Sequence, residues 1–362
     1  MSDSAACAKD SRVFYAVVWW QQKFGRQGLP WQGTRDPYRV WLSEIMLQQT
    51  QVLTVLGYYD RFLSRFPDVH SLAYAPVDDV LAMWSGLGYY SRARNLHRCA
   101  QTLVREFSGE FPRSSDVLQE LPGIGPSTAS AIAAFCFGET TSIFDGNVKR
   151  VMARWLGFTG DISHSPTERE LKAQVQDLVP QEASAKDMAC YTQGLMDLGA
   201  TVCTRSKPRC SSCPLAQDCV ALEVGRPQEF PRKTRRLKRS TQIWFLLVVR
   251  RANGECWLEK RAPSGIWASL YCFPVLLSRE ELLAKLHEND LVSAQEMEPV
   301  VHALTHRDLV LTPVVCQVPA GWHFDKETAL RGRWVHPSQA SEVGLPAPIA
   351  RWLAEGGGLE RL

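Results

Sequence analysis

The sequence predicts two domains of different class: an all-α domain over residues 1–225 and an α+β domain over residues 241–362, joined by a basic connector over residues 226–240. Three observations lead there. Apolar residues recur at helical spacing up to about residue 200, with no segment that alternates as a strand. A helix-hairpin-helix pattern lies at Leu121–Asp145, and a compact run of four cysteines closes the helical part. Beyond residue 240 the period switches to β-rich runs.

The totals are compatible with two cores. The chain has 362 residues, of which 45% are hydrophobic and 22% charged, as in ordinary globular proteins. The net charge of +3 is too small to argue for a nucleic-acid partner; local distribution must do so. Eleven cysteines, an odd number in a long chain, make a poor disulfide framework. No run of about 18 apolar residues could span a membrane. Met1 to Asp10 is small and polar and resembles no secretory signal. The expectation is a reducing compartment, a bacterial cytoplasm, and a monomer.

Val13–Phe24 places Phe14, Val17, Val18 and Trp20 on one helical face, and Gly25–Thr34 is a loop carrying Leu29-Pro30-Trp31. Asp36-Pro37 starts the next helix, an acceptor side chain followed by proline in the first turn, and it runs to about Leu47. Glu44 sits in it among Trp41, Leu42, Ile45, Met46 and Leu47. Burial penalises the charged form, so its pKa should rise into the range where a carboxyl works as a general acid. The ordinary alternative is a helix-edge Glu, solvated or paired with Arg39 or Arg61. The amides of Gln48-Gln49-Thr50-Gln51 directly after the helix suit a surface that meets base edges and backbone.

Leu56–Phe66 and Val77–Trp84 read as helices. Gly86-Leu87-Gly88-Tyr89-Tyr90-Ser91-Arg92-Ala93-Arg94 follows, with flat rings on which bases could stack and cations that could meet phosphate, or else core tyrosines and solvated arginines at a helix start. In Leu121-Pro122-Gly123-Ile124-Gly125-Pro126-Ser127, Pro122 and Gly123 end one helix and Gly125-Pro126 open an Ala-rich helix from Thr128 to about Phe137. The backbone N–H groups at such a hairpin form an anion site for which phosphate is the natural occupant. Asp145 comes 20 residues after Gly125, just past that helix. Asn147 could cap a helix over Val148–Leu156, Thr167–Glu170 reads as a capping box opening a helix to about Val179, and Ala185–Leu198 is another helix.

Cys203, Cys210, Cys213 and Cys219 are spaced C-x6-C-x2-C-x5-C. Zinc usually takes two short pairs separated by a longer loop, whereas one short pair flanked closely on both sides suits four thiolates around an iron–sulfur cube. Both metals remain open on spacing. Arg205, Lys207 and Arg209 make the loop basic, either to touch phosphate or merely solvated. In the connector, Arg232, Lys233, Arg235, Arg236, Lys238 and Arg239 fall within eight residues and read as exposed. Strands are expected at Ile243–Val249, Cys256–Lys260, Leu309–Val318 and Trp334–Val335, and helices at Arg279–His287 and Ile349–Leu353.

Taken together, Leu29–Trp31, Trp41–Gln51, Gly86–Leu96, Leu121–Gly125, Asp145–Arg150 and the cysteine loop resemble the MutY family of adenine DNA glycosylases, within the helix-hairpin-helix glycosylase superfamily. The resemblance covers residues 12–222 and implies a 4Fe–4S cluster on the four cysteines. It also implies duplex DNA carrying adenine opposite 8-oxoguanine or guanine, with the adenine flipped out of the stack for hydrolysis. Glu44 then matches the general acid at adenine N7, Asp145 the carboxylate that stabilises the cationic sugar, and Asn147 a residue supporting Asp145. Trp31 and Gln193 match the walls of the adenine pocket, and Gln49 and Tyr89 match residues inserted into the duplex. Gly123 and Gly125 belong to the phosphate-binding hairpin. Ser127 stands where glycosylase/lyases of the endonuclease-III type carry a Schiff-base lysine, so hydrolysis without efficient strand cleavage is expected.

Ile266–Pro274 resembles the matching segment of the family's Nudix-like C-terminal domain. The clustered glutamates of Nudix hydrolases are not found, so recognition and not hydrolysis is expected there. Leu304-Thr305-His306 matches the family's Phe-Ser-His loop at 8-oxoguanine, with Leu304 lacking the ring, and Ser269 stands where many members have Gly. Two alternatives are an endonuclease-III-type enzyme for oxidised pyrimidines and a non-catalytic DNA-binding iron–sulfur protein.

Overall fold

The structure is a computed structural model that describes residues 3–234, 239–291, 293–324 and 326–355. The described residues form two compact units, one within Met1–Asp60, Asp68–His70 and Arg98–Arg236, the other within Arg61–Pro67, Ser71–His97 and Leu237–Leu362. No described helix is long and apolar enough to cross a membrane.

The chain begins with α1 (Asp3–Phe24), α2 (Pro37–Leu47), α3 (Val52–Arg65), α4 (Val69–Tyr74), α5 (Val77–Met83) and α6 (Ser91–Phe107). Then come α7 (Ser115–Leu118), α8 (Pro126–Ile132), a π-helical turn (Ala133–Phe137), α9 (Gly146–Leu156), α10 (Ser165–Asp177) and α11 (Ala185–Thr201), with α12 (Val220–Glu223) after the cysteine loop. Local chemistry sets most of these ends. Asp36 Oδ1 accepts from Tyr38 N at 2.9 Å to open α2, Ser184 Oγ accepts from Asp187 N at 3.1 Å to open α11, and Gly157 closes α9 at φ +64°. The core of the first unit lies where α1, α9, α10 and α11 bury Phe14, Val17, Val148, Met152, Leu171, Tyr191 and Leu195.

Three expectations are corrected. The Ala-rich helix is not uniform: after Ile132 it loosens into the π turn and ends at Gly138, φ +71°. The capping box at Thr167–Glu170 does not form, because Pro166 in the first turn starts α10 earlier, at Ser165. The start of the connector is exposed at Arg232 and Lys233 as expected, but it is tethered and not a free segment. Phe230 is buried, its carbonyl accepts from Arg154 Nε at 3.2 Å, Arg232 O accepts from Ile162 N at 3.1 Å, and Thr234 Oγ1 bonds Asp161. Arg235, Arg236 and Lys238 lie outside the described residues.

In the second unit β1 (Ser240–Arg251) pairs with β2 (Cys256–Lys260), which carries β3 (Tyr271–Cys272), and with β4 (Val275–Leu276). After α13 (Arg279–Glu288) come β5 (Gln295–Glu296), β6 (Val300–Ala303) and β7 (Arg307–Val318), then α14 (Lys326–Ala329), β8 (Gly332–Val335) and α15 (Ala347–Ala354). β1 and β7 are parallel in register from Ser240↔Arg307 to Arg251↔Val318. Trp244–Val249 is buried on both faces there, which is why β1 reads as a continuous apolar run. Residues 71–97 belong to this unit through specific bonds: Tyr90 Oη to Leu345 O (2.5 Å), Arg94 Nη1 to Ala268 O (2.8 Å) and Lys260 Nζ to Asp78 Oδ1 (2.6 Å).

Candidate active site and cysteine cavity

Glu44 lies on α2 between buried residues, and its side chain has no hydrogen-bond or ion-pair partner among the described residues. Arg39 pairs with Asp36 instead, at 3.5 Å. Burial, and then the negative charge of Asp145, push the Glu44 carboxyl up to about 7. Glu44 is only partly buried by surface area, yet the shift has the expected direction, and Asp145 is close enough to act on it. The π turn flanks the same place: burial, Asp36 and Glu44 together push the Cys136 thiol up to about 12. Single π turns of this kind recur at functional sites.

Asp145 holds the position expected for the helix cap. Its Oδ1 accepts from Asn147 N (2.9 Å) and Val148 N (2.8 Å), opening α9 at Gly146. Asn147 is therefore not the cap. Asp145 precedes it, at the residue whose φ and ψ are extended. The Asn147 side chain instead accepts from Arg150 Nη2 at 2.9 Å, and Arg150 also donates to Gly199 O (2.8 Å) and Cys203 O (2.9 Å). α9 and α11 approach so closely here that a Cβ at Gly199 would lie 2.6 Å from Asn147 Cβ. Only one oxygen of Asp145 is used by the cap; Oδ2 has no hydrogen bond among the described residues.

Gln193 and Arg26, which precedes the Trp31 turn, share an anchor. Gln193 Nε2 donates to Asp197 Oδ1 at 2.8 Å, and Asp197 is fully buried. Arg26, at the head of the Trp31 loop, reaches the same carboxylate with its backbone N (2.8 Å), Nε (2.8 Å) and Nη2 (2.5 Å). Trp31 itself is 7% exposed, edge-on to Tyr59 with centroids 5.3 Å apart.

The hairpin is built as expected. Leu121 and Ile124 are buried while Gly123 and Gly125 are exposed, Gly123 at φ +80° and Gly125 heading α8 without a side-chain cap. Ser127 sits in the first turn of α8, partly buried. Gln49 is exposed and left-handed at φ +56°, a strained conformation for a non-glycine residue. Gln48 Nε2 ties that turn to Thr128 Oγ1 at 3.3 Å.

In the second unit Tyr89 is exposed and left-handed at φ +48°, and its Oη lies 3.0 Å from Thr305 Oγ1. Thr305 and the exposed His306 cap the turn between β6 and β7, which Arg239 holds through Leu304 O (3.0 Å) and Asp308 Oδ1 (2.5 Å). The two arginines near Tyr89 are held by backbone carbonyls of their own unit. Arg92 is buried, donates to Leu87 O and Gly88 O at 3.1 Å and stacks on Trp84; Arg94 holds Ala268 O.

Cys203, Cys210, Cys213 and Cys219 line one cavity beside Arg154, Arg209 and Pro227. Among the described residues no three His, Cys, Asp or Glu side chains gather tightly enough to hold a single ion. Buried Arg154 braces the loop through Thr204 O (2.7 Å), Arg205 O (2.8 Å) and Cys203 Sγ (3.2 Å).

Sequence reasoning missed Asp197, Arg26, Arg150 and Arg154. A Gln–Asp pair four residues apart within the apolar run of α11 was the available signal for the first; the arginines' partners are distant in sequence and left none.

A helix-hairpin-helix, a carboxyl raised to about 7 and a helix-capping aspartate, on a chain that continues into a mixed sheet, point to a DNA base-excision glycosylase. The family model described as HhH-GPD superfamily base excision DNA repair protein matches residues 42–177, and the NUDIX domain model matches residues 245–355. The adenine DNA glycosylase of Buchnera aphidicola from Acyrthosiphon pisum is 35% identical over 339 residues, 93% of this chain and 95% of that one. The human adenine DNA glycosylase is 42% identical over 214 residues, 57% of this chain and 38% of that one. A thermostable thymine-DNA glycosylase of known structure aligns over 60% of this chain and 99% of its own, with 26% identity and a TM-score of 0.53. The chain belongs to the MutY family of adenine DNA glycosylases, and DNA is its partner.

Proposed function

We propose that this chain removes adenine mispaired with 8-oxoguanine or guanine from duplex DNA by hydrolysing its N-glycosidic bond. The observation that carries this reading is an unpaired, partly buried Glu44 carboxyl, raised to about 7, close enough to feel the charge of Asp145. Near neutral pH such a carboxyl holds a proton that it can deliver to adenine N7. Adenine then leaves as a neutral base, and the deoxyribose acquires oxocarbenium character. The free Oδ2 of Asp145, oriented by the two N–H bonds to Oδ1, supplies negative charge for that sugar. The Glu44 carboxylate left behind accepts a proton from the water that attacks C1′. Ser127 offers no amine for an imine, so the product is an abasic site on an intact strand.

The hairpin at Gly123 and Gly125 would hold a phosphate, Gln49 would enter the duplex, and Tyr89 with Thr305 and His306 would serve the base opposite the adenine. Cys203, Cys210, Cys213 and Cys219 would hold a 4Fe–4S cluster. The donor set fits it: four cysteine side chains, soft ligands of the kind such a cluster takes, line one cavity. Its contribution when bound is to tie the loop of residues 203–219 into one piece.

Single-turnover release of adenine from duplexes with adenine opposite 8-oxoguanine, guanine, cytosine or thymine tests the reading. Fast release opposite 8-oxoguanine and guanine, without strand cutting at the same rate, is expected. Equal release opposite all four bases, or nicking that keeps pace with base loss, would overturn it.

A further inference from the structure

The segment that delivers Asp145 has no hydrogen-bond ladder of its own. Residues 138–144 belong to no helix or strand, yet Ser142, Ile143 and Phe144 are buried. Buried backbone groups need partners. Inside the segment Thr141 N donates to Glu139 O at 2.8 Å. Two further backbone groups are taken up by one side chain from α10. Gln176 Oε1 accepts from Ser142 N at 2.9 Å, and Gln176 Nε2 donates to Thr140 O at 2.9 Å. A backbone N–H only donates and a carbonyl only accepts, so the amide has a single orientation in which both bonds form. Gln176 thus pairs with residues 140–142 much as a neighbouring strand would.

α10 also reaches the chain beyond Asp145. Glu168 pairs with the Lys149 ammonium, which lies 5.1 Å from the centre of the Phe144 ring, and Lys149 N donates to Asp145 O at 2.9 Å. One helix therefore grips the chain on both sides of Asp145. The two grips differ in strength. The Lys149–Glu168 pair is partly exposed and screened by solvent. The Gln176 amide bonds backbone that leads straight into buried residues, where an unpaired N–H or C=O is costly. The cap bonds to Oδ1 fix the Asp145 carboxylate relative to α9. The path of residues 140–144 decides where the Asp145 backbone enters that cap, and with it where Oδ2 stands.

We propose that Gln176 is a positioning residue for base release: its amide, bonded to Thr140 O and Ser142 N, holds the segment that sets Asp145 against the reacting sugar. The inference rests on the adenine-removing reading above, in which Asp145 stabilises the sugar cation, and adds what keeps that carboxylate in place. The effect of Gln176 passes through Asp145, and the test reads that dependence.

The test uses Gln176→Met, which removes both bonds, and Gln176→Glu at pH 7, whose carboxylate still accepts from Ser142 N but opposes Thr140 O. Two quantities are read at a temperature where thermal melts show each variant folded. One is single-turnover release of adenine opposite 8-oxoguanine. The other is the Kd for the same duplex carrying 2′-fluoro-2′-deoxyadenosine, which resists cleavage. Both variants should release adenine roughly tenfold to a hundredfold more slowly than wild type, as a small displacement of a reacting group does, with Kd changed by no more than about twofold. In an Asp145→Asn background, adding Gln176→Met should leave the residual rate unchanged, because the charge being positioned is gone. A clamp that serves stability alone would lower the melting temperature and leave release as it was. That result, an equal loss of release and binding, or an undiminished effect of Gln176→Met in the Asp145→Asn background overturns the proposal. Where Gln176→Met fails to fold, Gln176→Glu takes its place in both the single and the double variant. A wild type that releases adenine from no duplex would overturn the adenine-removing reading itself, whereas normal release that ignores Gln176 sinks only the role of Gln176.

Discussion

Glu44 and Asp145 carry the same functional group in opposite surroundings. Glu44 lies within a helix among apolar neighbours, with no partner to hold its charge. Asp145 heads a helix, with two backbone N–H groups on one oxygen. The first arrangement favours the acid and the second presents an anion at a helix N-terminus. Two roles follow from environment alone, a proton donor and a charge stabiliser, as the paired-carboxylate chemistry of glycosyl transfer requires.

The sharpest way to break the comparison is to exchange each acid for its amide. Glu44→Gln keeps the shape and removes the proton, so single-turnover base release should fall roughly 10²–10⁴-fold. Its stability should move the other way. The carboxyl is raised from 4.5 to about 7, so the native state binds the proton more tightly than the unfolded chain. The stability linked to that proton is present below about pH 4.5 and lost as pH rises through 7, which makes the charged carboxylate costly above neutrality. Urea unfolding at pH 8 should show Glu44→Gln more stable than wild type, by up to about 3 kcal/mol, and the gap should close toward pH 5.

Asp145→Asn should lower base release by roughly 10²–10³-fold with little change in melting, because an amide oxygen still accepts the two N–H bonds. Asp145→Ala should lose activity as far and about 1 kcal/mol of stability as well. If Asn and Ala melt alike, the cap is not what holds Asp145. The pH profile sharpens the contrast further: the rate of base release should decline as pH rises through about 7 in wild type, and this limb should vanish in Glu44→Gln. The smallest effect lies in the other unit. Ser269 has φ +61°, a left-handed backbone that costs a residue with a Cβ, so Ser269→Gly should raise stability by about 0.5–1 kcal/mol in thermal melts.

How much of this was legible in the sequence differs between the acids. Glu44 could be read because its neighbours on α2 are apolar, and burial follows from neighbours along the chain. The strain at Ser269 could be anticipated only as a departure from a glycine; its cause became visible with the backbone angle. Asn147 was misread as a cap because Asp145 and Asn147 are both good capping residues two positions apart, and propensity does not choose between them. Arg92 and Arg94 could be read either as phosphate ligands or as solvated charges, because a charge in a Gly- and Tyr-rich loop reads as exposed. In the structure both are spent on backbone carbonyls, two of them in the same loop and one, Ala268, far along the chain.

The sequence by itself determined several helix starts, the hairpin, the apolar runs of β1 and β7, and the identity of the two acids, because each depends on neighbours a few residues away along the chain. Only the tertiary structure decided which acid meets which. It brought Asp145 within electrostatic reach of Glu44, 101 residues earlier, and it turned Asp197 toward Arg26 across a separation of 171 residues. Such meetings are set by how helices pack against one another, and no local preference of the chain records that packing.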